Sequence, residues 1–257
     1  IIFFDGNYLS CKYLFYQIIE PLLYYKLSSK GFILLHSSCV SNGEKAFAFP
    51  ALLGTGKTSL MLYLLEKGMK EYLSDDFTIF SKDGYAYSYP TPVSFFDYNI
   101  KNKPFVKNRL TNRQKIRIKI NSLIYKLSFG YAKPPLFVDI NEVFPDVKIG
   151  NKKRLDSIFI LKPTIEKELV INENVGMEKI IQGLVWINKI EFGSFLNCIE
   201  AYLYANPNKG KFSHWDSFNS NLLELSKNIR CHEILIPKDL DYNNEKMLSK
   251  LKAIMKY

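Results

Sequence analysis

A short glycine-rich loop between an apolar strand and a periodic helix is the feature of this sequence that most constrains its fold. The loop, Gly54–Thr58, reads GTGKT and follows the apolar run Ala46–Phe49. After it, apolar side chains recur at spacings of three and four, which is typical of a helix. These are Leu60, Met61, Leu64 and Leu65. A strand, a G-x-G-K-[ST] loop and a helix in this order predict a phosphate-binding P-loop.

The residue types of the loop suit a bound polyphosphate. Small residues let several backbone N–H groups turn toward phosphate oxygens, and the following helix adds partial positive charge. In this interpretation Lys57 reaches the terminal phosphates and the Thr58 hydroxyl ligates Mg²⁺. The usual first glycine of the GxxxxGK[ST] pattern is Ala51 here, so the backbone at that position must accept a Cβ. The predicted nucleotide contacts are Leu53, Gly54, Thr55, Gly56, Lys57, Thr58 and Ser59. The predicted cofactors are ATP and Mg²⁺.

Two adjacent carboxylates, Asp75 and Asp76, follow the apolar residues Tyr72 and Leu73. A parallel or mixed sheet would bring the end of such a strand beside the loop. Two neighbouring carboxylates can divide the chemistry, one holding Mg²⁺ and the other accepting the proton of an attacking hydroxyl. Alone, an Asp-Asp pair also fits a solvated turn or a helix cap. Together with a P-loop, it indicates phosphoryl transfer.

A histidine, His36, ends the apolar run Phe32–His36, and Asn-Gly within Ser41–Glu44 predicts a turn into the strand before the loop. Paired strands would return His36 to the vicinity of the loop. There it could donate a hydrogen bond or a charge to the transferred group, or it could be a satisfied core histidine. His214 and His232 have no motif around them and are interpreted as structural or surface residues.

Three segments resemble, in order and spacing, the catalytic domain of HPr kinase/phosphorylase and its kinase-like relatives. They are Leu34–Ser38 (LLHSS), Pro50–Thr58 (PALLGTGKT) and Leu73–Asp76 (LSDD). The chain departs from that family where Ser37 replaces a glycine and where Ala51 and Leu53 replace a glycine and a serine. No equivalent of the HPr-docking segment is recognised. The chain looks like a divergent relative, akin to members of gene clusters for modified peptides that phosphorylate a serine hydroxyl of something other than HPr.

The resemblance implies a fold shared with phosphoenolpyruvate carboxykinase, in which a mixed β-sheet core carries the P-loop between flanking helices. It also implies roles for the matched positions. Lys57 and Thr58 are expected to bind phosphates and Mg²⁺, with His36 beside the phosphates. Asp76 is the expected metal ligand and Asp75 the expected base, although these two roles could be exchanged.

The leading functional hypothesis is a kinase that acts on a hydroxyl, with a serine of a peptide or protein as the expected acceptor. A second hypothesis, carboxykinase chemistry on a small keto acid, rests on the shared fold alone. A third is a nucleotide-binding module that senses ATP or holds nucleic acid without catalysing transfer. The side chain whose positive charge would stabilise the transition state is left open among Arg109, Arg113 and Arg154.

The net charge of +10 fits nucleic acid, acidic lipid or a nucleotide and does not choose among them. Part of the excess lies in a segment without Asp or Glu, which could face phosphates but is better interpreted as a solvated face. Its cations are Lys101, Lys103, Lys107, Arg109, Arg113, Lys115, Arg117 and Lys119. The expected partners are a nucleotide and a hydroxyl-bearing peptide, protein or small molecule. Nucleic acid is disfavoured, and a homo-oligomer is left open.

The four cysteines lie far apart and suggest neither a zinc site nor a disulfide framework, which fits a reducing cytoplasm. They are Cys11, Cys39, Cys198 and Cys231. The apolar stretch Ile18–Leu27 is broken by Glu20, Pro21 and Lys26, so neither a transmembrane segment nor a membrane partner is expected. The first residues are interpreted as a strand, and upstream residues could be missing.

Hydrophobic periodicity assigns the other elements of one α/β domain over residues 1–257. The predicted strands are Glu71–Ser74, Phe77–Phe80, Tyr85–Tyr89, Ile116–Ile120, Ser157–Leu161, Leu169–Ile171 and Glu233–Pro237. The predicted helices cover residues 9–29, 177–189, 192–204 and 216–228, with one more at the end of the chain.

Overall fold

A computed structural model describes residues 15–97, 100, 104–132, 134–210, 213–237, 240 and 245–255. The predicted N-terminal strand and residues 9–14 of the first predicted helix lie outside these ranges, as do Lys101 and Lys103. The first helix is described as a π-helical turn, Phe15–Ile19, that leads into an α-helix at Glu20. The described cysteines are free thiols.

The described chain is an α/β protein with a nine-stranded mixed sheet and flanking helices. Its strands are β1 (Phe32–Ser41), β2 (Lys45–Pro50), β3 (Glu71–Ser74), β4 (Phe77–Ser81), β5 (Tyr85–Tyr87), β8 (Lys148–Ile149), β9 (Lys152–Thr164), β10 (Val170–Asn172) and β11 (Arg230–Pro237). A separate antiparallel pair joins β6 (Val93–Phe95) to β7 (Leu136–Val138). The large sheet has the order β10-β11-β9-β5-β4-β1-β3-β8, and β2 pairs with both β1 and β9.

Strand β1 changes partners in its middle, and this change positions the candidate site. Its first half pairs with β4, ending at His36 opposite Phe77. Its second half pairs with β2, beginning at Ser37 opposite Pro50. Pro50 ends the strand that enters the glycine-rich loop, and Phe77 begins the strand that follows the acidic pair. Three segments of the chain therefore meet at His36 and Ser37.

Helices cover both faces of the sheet. They are α1 (Glu20–Ser29), α2 (Lys57–Glu66), α3 (Pro104–Arg109), α4 (Asn112–Leu127), α5 (Ile140–Val143), α6 (Met177–Ala205), α7 (His214–Ser226) and α8 (Glu245–Met255). One apolar cluster joins the sheet to α2 and the α3–α5 segment, and α8 contributes Leu251 and Met255 to it. The other joins the opposite face to α1, α6 and α7. Apolar residues at helical spacing on each helix supply these contacts.

Most predicted elements are confirmed, but two predictions are wrong. Ile116–Ile120, predicted as a strand, lies within the helix α4. A capping box explains this, because the Thr111 side chain accepts from the Gln114 backbone while the Gln114 side chain accepts from the Thr111 backbone. The two helices predicted at 177–189 and 192–204 are one continuous helix, α6, which runs through Gly193.

No helix in the described part of the chain is both long enough and apolar enough to cross a membrane. The longest, α6, has 29 residues, and its buried apolar residues, among them Ile180, Leu184 and Ile187, pack into the core.

Candidate active site

The glycine-rich loop connects the end of β2 to the start of α2. Gly54 and Gly56 have φ angles of 81° and 107°, in the left-handed region that favours glycine. Gly56 is also the N-cap of α2, and no side chain caps the helix there. Because the first N–H groups of a helix have no intrahelical partner, this end offers donors to an anion.

Ala51 occupies the start of the loop without strain. Phe129 is the one non-glycine residue with a positive φ in the described ranges, so Ala51 has an ordinary backbone conformation. Its side chain is fully buried, and its N–H donates to the carbonyl oxygen of His36 at 3.4 Å. The requirement that this position accept a Cβ is met.

Lys57 turns back from the loop toward β1. Its Nζ lies 2.8 Å from Nε2 of His36, and Nδ1 of His36 lies 2.6 Å from Oε1 of Glu191 on α6. With its proton on Nδ1, the ring accepts from the ammonium group at Nε2 and places an N–H beside the carboxylate. The three side chains therefore form a chain of contacts from the loop, across β1, to α6.

The second residue of α2 joins the loop to the acidic pair. The Thr58 hydroxyl donates to Oδ2 of Asp75 at 3.1 Å. Asp75 is almost fully buried, and its Oδ1 has no hydrogen-bond partner among the described residues. The carbonyl oxygen of Asp76 accepts from the N–H of Ser37 at 3.0 Å, which fixes the acidic turn against β1. The Asp76 side chain is more open than that of Asp75.

Buried hydroxyl groups hold the turn that carries the two carboxylates. The Thr78 hydroxyl donates to the carbonyl oxygen of Ser37 at 3.1 Å and accepts from the Ser37 hydroxyl at 2.8 Å. It also lies 2.5 Å from the Ser74 hydroxyl. Ser74 and Thr78 flank Asp75 and Asp76 in the chain, and Ser37 lies on β1. The network therefore ties both sides of the acidic turn to β1.

Burial and neighbouring charges set the protonation of the site. Burial, followed by the charge of Asp76, raises the pKa of Asp75 to about 7, although Lys57 and the Thr58 hydroxyl oppose the shift. Burial lowers the pKa of Lys57, and the nearby carboxylates, Asp75 first, oppose that shift. A carboxyl group poised near neutral pH beside a buried lysine is suited to proton transfer.

The pKa values of His36 and of its carboxylate partner, Glu191, are both lowered. Burial, together with the charge of Lys57, lowers the pKa of His36, while Glu191 opposes the shift. For Glu191, burial acts to raise the pKa, but the contact with His36 and the charge of Lys57 leave the pKa below its usual value. Near neutral pH, His36 is therefore a neutral ring between a cation and an anion.

Three polar residues of the site, the buried Asn188 and Glu20 and the half-buried Glu191, were not predicted from the sequence. Asn188 on α6 accepts from the N–H of His36 at 3.2 Å and donates to the carbonyl oxygen of Leu34 at 2.6 Å. Glu191 lies one helical turn further along. Glu20 on α1 accepts from the Tyr89 hydroxyl at 3.3 Å, and burial, with smaller contributions from Asp76 and Glu191, raises its pKa to about 7.

A signal for two of these residues is present in the sequence. Asn188 and Glu191 continue the spacing of Ile180, Leu184 and Ile187, so they lie on the core-facing side of α6. Polar side chains on such a face need partners, and that need marks them as members of a buried polar site. Glu20 carries no comparable signal.

Some predicted residues lie away from this cluster. The Leu53 side chain is 83% exposed, so it does not pack into this cluster. Arg109 pairs with Glu66, the last residue of α2 and hence at the end opposite the loop. Arg154 pairs in register with Lys45, at the far end of β2 from the loop. Neither arginine reaches the glycine-rich loop in this arrangement.

The other two histidines are packing residues. His214 contacts the rings of Tyr24, Tyr25 and Phe218, and His232 stacks on Phe159. Both are buried, and burial lowers the pKa of each. This agrees with the interpretation of these residues as structural.

The donor set fits magnesium bound together with nucleotide phosphates. The described residues contain no group of three or more His, Cys, Asp or Glu side chains placed to hold a metal ion. Mg²⁺ commonly uses one or two protein oxygens and completes its shell with phosphate and water. The Thr58 hydroxyl, the unpaired Oδ1 of Asp75 and the carboxylate of Asp76 provide such oxygens.

Comparison of the sequence with models of protein families gives no match, and comparison with curated proteins gives none.

Proposed function

We propose that this protein is an ATP- and Mg²⁺-dependent kinase that transfers the γ-phosphoryl group to a serine hydroxyl of a peptide or protein other than HPr. The observation that carries the proposal is the contact between the P-loop and the acidic pair. Thr58 donates to Asp75 at 3.1 Å, and Lys57 lies in the same cluster. A lysine, a hydroxyl and paired carboxylates are the groups that phosphoryl transfer to an alcohol requires.

The nine-stranded mixed sheet supports the finer fold assignment. Most P-loop proteins carry the loop in a parallel sheet, whereas here the strand that enters the loop is antiparallel to β1 and parallel to β9. A mixed sheet with the loop at its centre is what the resemblance to HPr kinase and phosphoenolpyruvate carboxykinase implies. We therefore assign the chain to that fold as part of the proposal.

In this mechanism the loop binds and orients the phosphates. The uncapped N-terminus of α2 donates backbone hydrogen bonds to them, and Lys57 offsets the charge that develops on the transferred group. His36 keeps the Lys57 side chain directed into the site. Thr58 and a carboxylate of the acidic pair would hold Mg²⁺, which would supply charge neutralisation on the phosphates.

Asp75 acts as the general base. It accepts the proton of the serine hydroxyl, the serine oxygen forms a bond to the γ-phosphorus, and the bond from that phosphorus to the bridging oxygen of ADP breaks. The products are phosphoserine, ADP and a proton on Asp75. A pKa of about 7 suits this task, because the group is half ionised at neutral pH and still basic enough to accept the proton.

The exchanged assignment, in which Asp75 is the Mg²⁺ ligand and Asp76 is the general base, also has support. Thr58, the expected Mg²⁺ ligand, contacts Asp75, and Asp76 is the more open of the pair. The variants Asp75→Asn and Asp76→Asn separate the two assignments. Added Mg²⁺ partly restores activity when the metal ligand is lost, whereas loss of the base is not restored and removes the pH dependence of transfer.

The proposal is tested by incubating the protein with γ-labelled ATP, Mg²⁺ and a lysate of the source cells. We expect label on a protein or peptide as phosphoserine, and no label with Lys57→Ala. Lys67→Ala is the matched control, because Lys67 is an exposed lysine just beyond the other end of α2. ATP binding without transfer to any acceptor would instead identify a nucleotide-binding module and refute the kinase assignment.

A further inference from the structure

Helix α4 displays an apolar stripe on the side that faces away from the protein. Ile118 is its one buried side chain among the described residues. The exposed apolar residues of the stripe are Ile116, Ile120, Leu123, Ile124 and Leu127. At about 100° per residue, the centre of this stripe lies about 180° around the helix from Ile118. The outermost surface of the helix is therefore aliphatic, the reverse of an ordinary surface helix.

Basic residues border the stripe on both sides. Lys115, Lys119 and Lys126 follow one flank, Arg117 lies on the other, and Arg113 lies at the N-terminal end of the stripe itself. Residues 104–132 contain no Asp or Glu, so no acidic side chain of this segment offsets these charges. An aliphatic face with cations on both sides complements a surface that is apolar inside and anionic at its boundary.

The turn after the helix adds two exposed aromatic residues. Phe129 is 92% exposed and Tyr131 is 95% exposed. Phe129 also has a positive φ of 51°, which is rare for a bulky residue and holds the ring outside the fold. Aromatic side chains are enriched where lipid headgroups meet acyl chains.

We propose that α4 and the Phe129–Tyr131 turn bind the surface of an anionic membrane, with the helix axis in the plane of the interface. The aliphatic stripe enters the boundary between headgroups and acyl chains, and the flanking lysines and arginines contact anionic headgroups. The inference does not depend on the proposed kinase activity. It departs from the expectation of no membrane partner, which rested on spanning segments alone.

Other occupants fit these observations less well. A second copy would bring together two helices that each carry five cations and no carboxylate. Nucleic acid would contact the cations but would leave the aliphatic stripe in water. An acidic protein would need an apolar groove of matching shape, whereas a bilayer accepts a convex apolar face without one.

Vesicle sedimentation tests the proposal. The full chain is mixed with vesicles of phosphatidylcholine alone, or with vesicles in which about a third of the lipid is phosphatidylglycerol. We expect binding to the anionic vesicles only, with release as salt is raised. Leu123→Glu should lower the vesicle-bound fraction about tenfold, because it places a carboxylate at the centre of the stripe.

The matched control is Leu223→Glu, which makes the same change at a similarly exposed leucine on α7, 46% against 55% exposed. It should bind like the wild type, and unchanged thermal unfolding of both variants shows that the fold is intact.

The charge contribution is tested with Lys119→Gln combined with Lys126→Gln, which should weaken binding and reduce its salt dependence. Failure of the wild type to bind anionic vesicles, or equal binding by Leu123→Glu, overturns the proposal. A dimer that Leu123→Glu dissociates, or capture by an acidic protein without vesicle binding, also overturns it.

Discussion

The Nζ atom of Lys57 lies 2.8 Å from Nε2 of His36, so the lysine of the glycine-rich loop is held against a strand that precedes the loop in sequence. The contact exists because β1 runs antiparallel to β2 and brings His36 back to the point where β2 ends. His36 is in turn held by Asn188 and Glu191 of α6. The loop is therefore coupled to the helical layer on the opposite face of the sheet.

Lys57→Ala should abolish ATP turnover and weaken ATP binding by at least about tenfold, because it removes the one loop side chain that carries positive charge. Lys67→Ala should leave both unchanged. Calorimetric titration with a non-hydrolysable ATP analogue and Mg²⁺ measures the binding. Equal affinity of Lys57→Ala and the wild type would show that the loop does not hold the phosphates.

Glu191→Gln should lower kcat/KM about tenfold while leaving the fold intact, because an amide of nearly the same shape cannot supply the charge that partners His36. Glu191 is a positioning residue in this interpretation, so the pH profile should change as well. Loss of Glu191, which acts to raise the pKa of His36, leaves that pKa lower than in the wild type. NMR titration of the histidine ring protons measures this shift directly.

Glu200→Gln on the same helix is the control, since Glu200 is exposed. It should change neither kcat/KM nor the titration of His36. A loss of activity in Glu191→Gln without any change in that titration would mean that Glu191 acts other than through the ring.

The loop, its helix and the hairpin before it were predictable because each depends on local chemistry. Asn42-Gly43 forms a tight turn, and the G-x-G-K-T loop with its apolar flanks allows few other structures. The nearness of His36 and Asp75 to the loop followed from strand pairing. The resemblance supplied their expected roles, which remain predictions.

Two parts of the structure were not predicted, for different reasons. The alternation in Ile116–Ile120 is typical of a strand, but a local signal, the capping box of Thr111 and Gln114, begins the helix that contains it. Glu191 lies more than 150 residues from His36 in sequence, and the burial of one face of α6 brings the two together. No local pattern encodes a pairing of that kind.

Asp75→Asn should stabilise the protein at alkaline pH. The folded-state pKa of Asp75 is raised from 3.8 to about 7, so the folded protein binds this proton more tightly than the unfolded chain does. The resulting cost is absent below about pH 4, grows as pH rises toward 7 and is constant above it. The stability gained by the variant should therefore increase by roughly 2–3 kcal/mol between about pH 5 and pH 8.

Urea unfolding of the wild type and the variant at the two pH values measures this difference. Asp83→Asn, at an exposed turn, is the control and should give the same difference at both. A pH-independent effect of Asp75→Asn would show that Asp75 is ionised in the folded state throughout this range.

Ala51→Gly tests whether the departure at the start of the loop alters its geometry. Ala51 has no positive φ and its methyl group is fully buried, so glycine gains no needed conformation and loses packing. We expect a loss of roughly 0.5–1.5 kcal/mol in the free energy of unfolding and unchanged affinity for ATP. Urea unfolding and calorimetric titration measure the two quantities. A gain in ATP affinity would contradict this account, because it would mean that phosphate binding needs a backbone conformation at residue 51 that alanine resists.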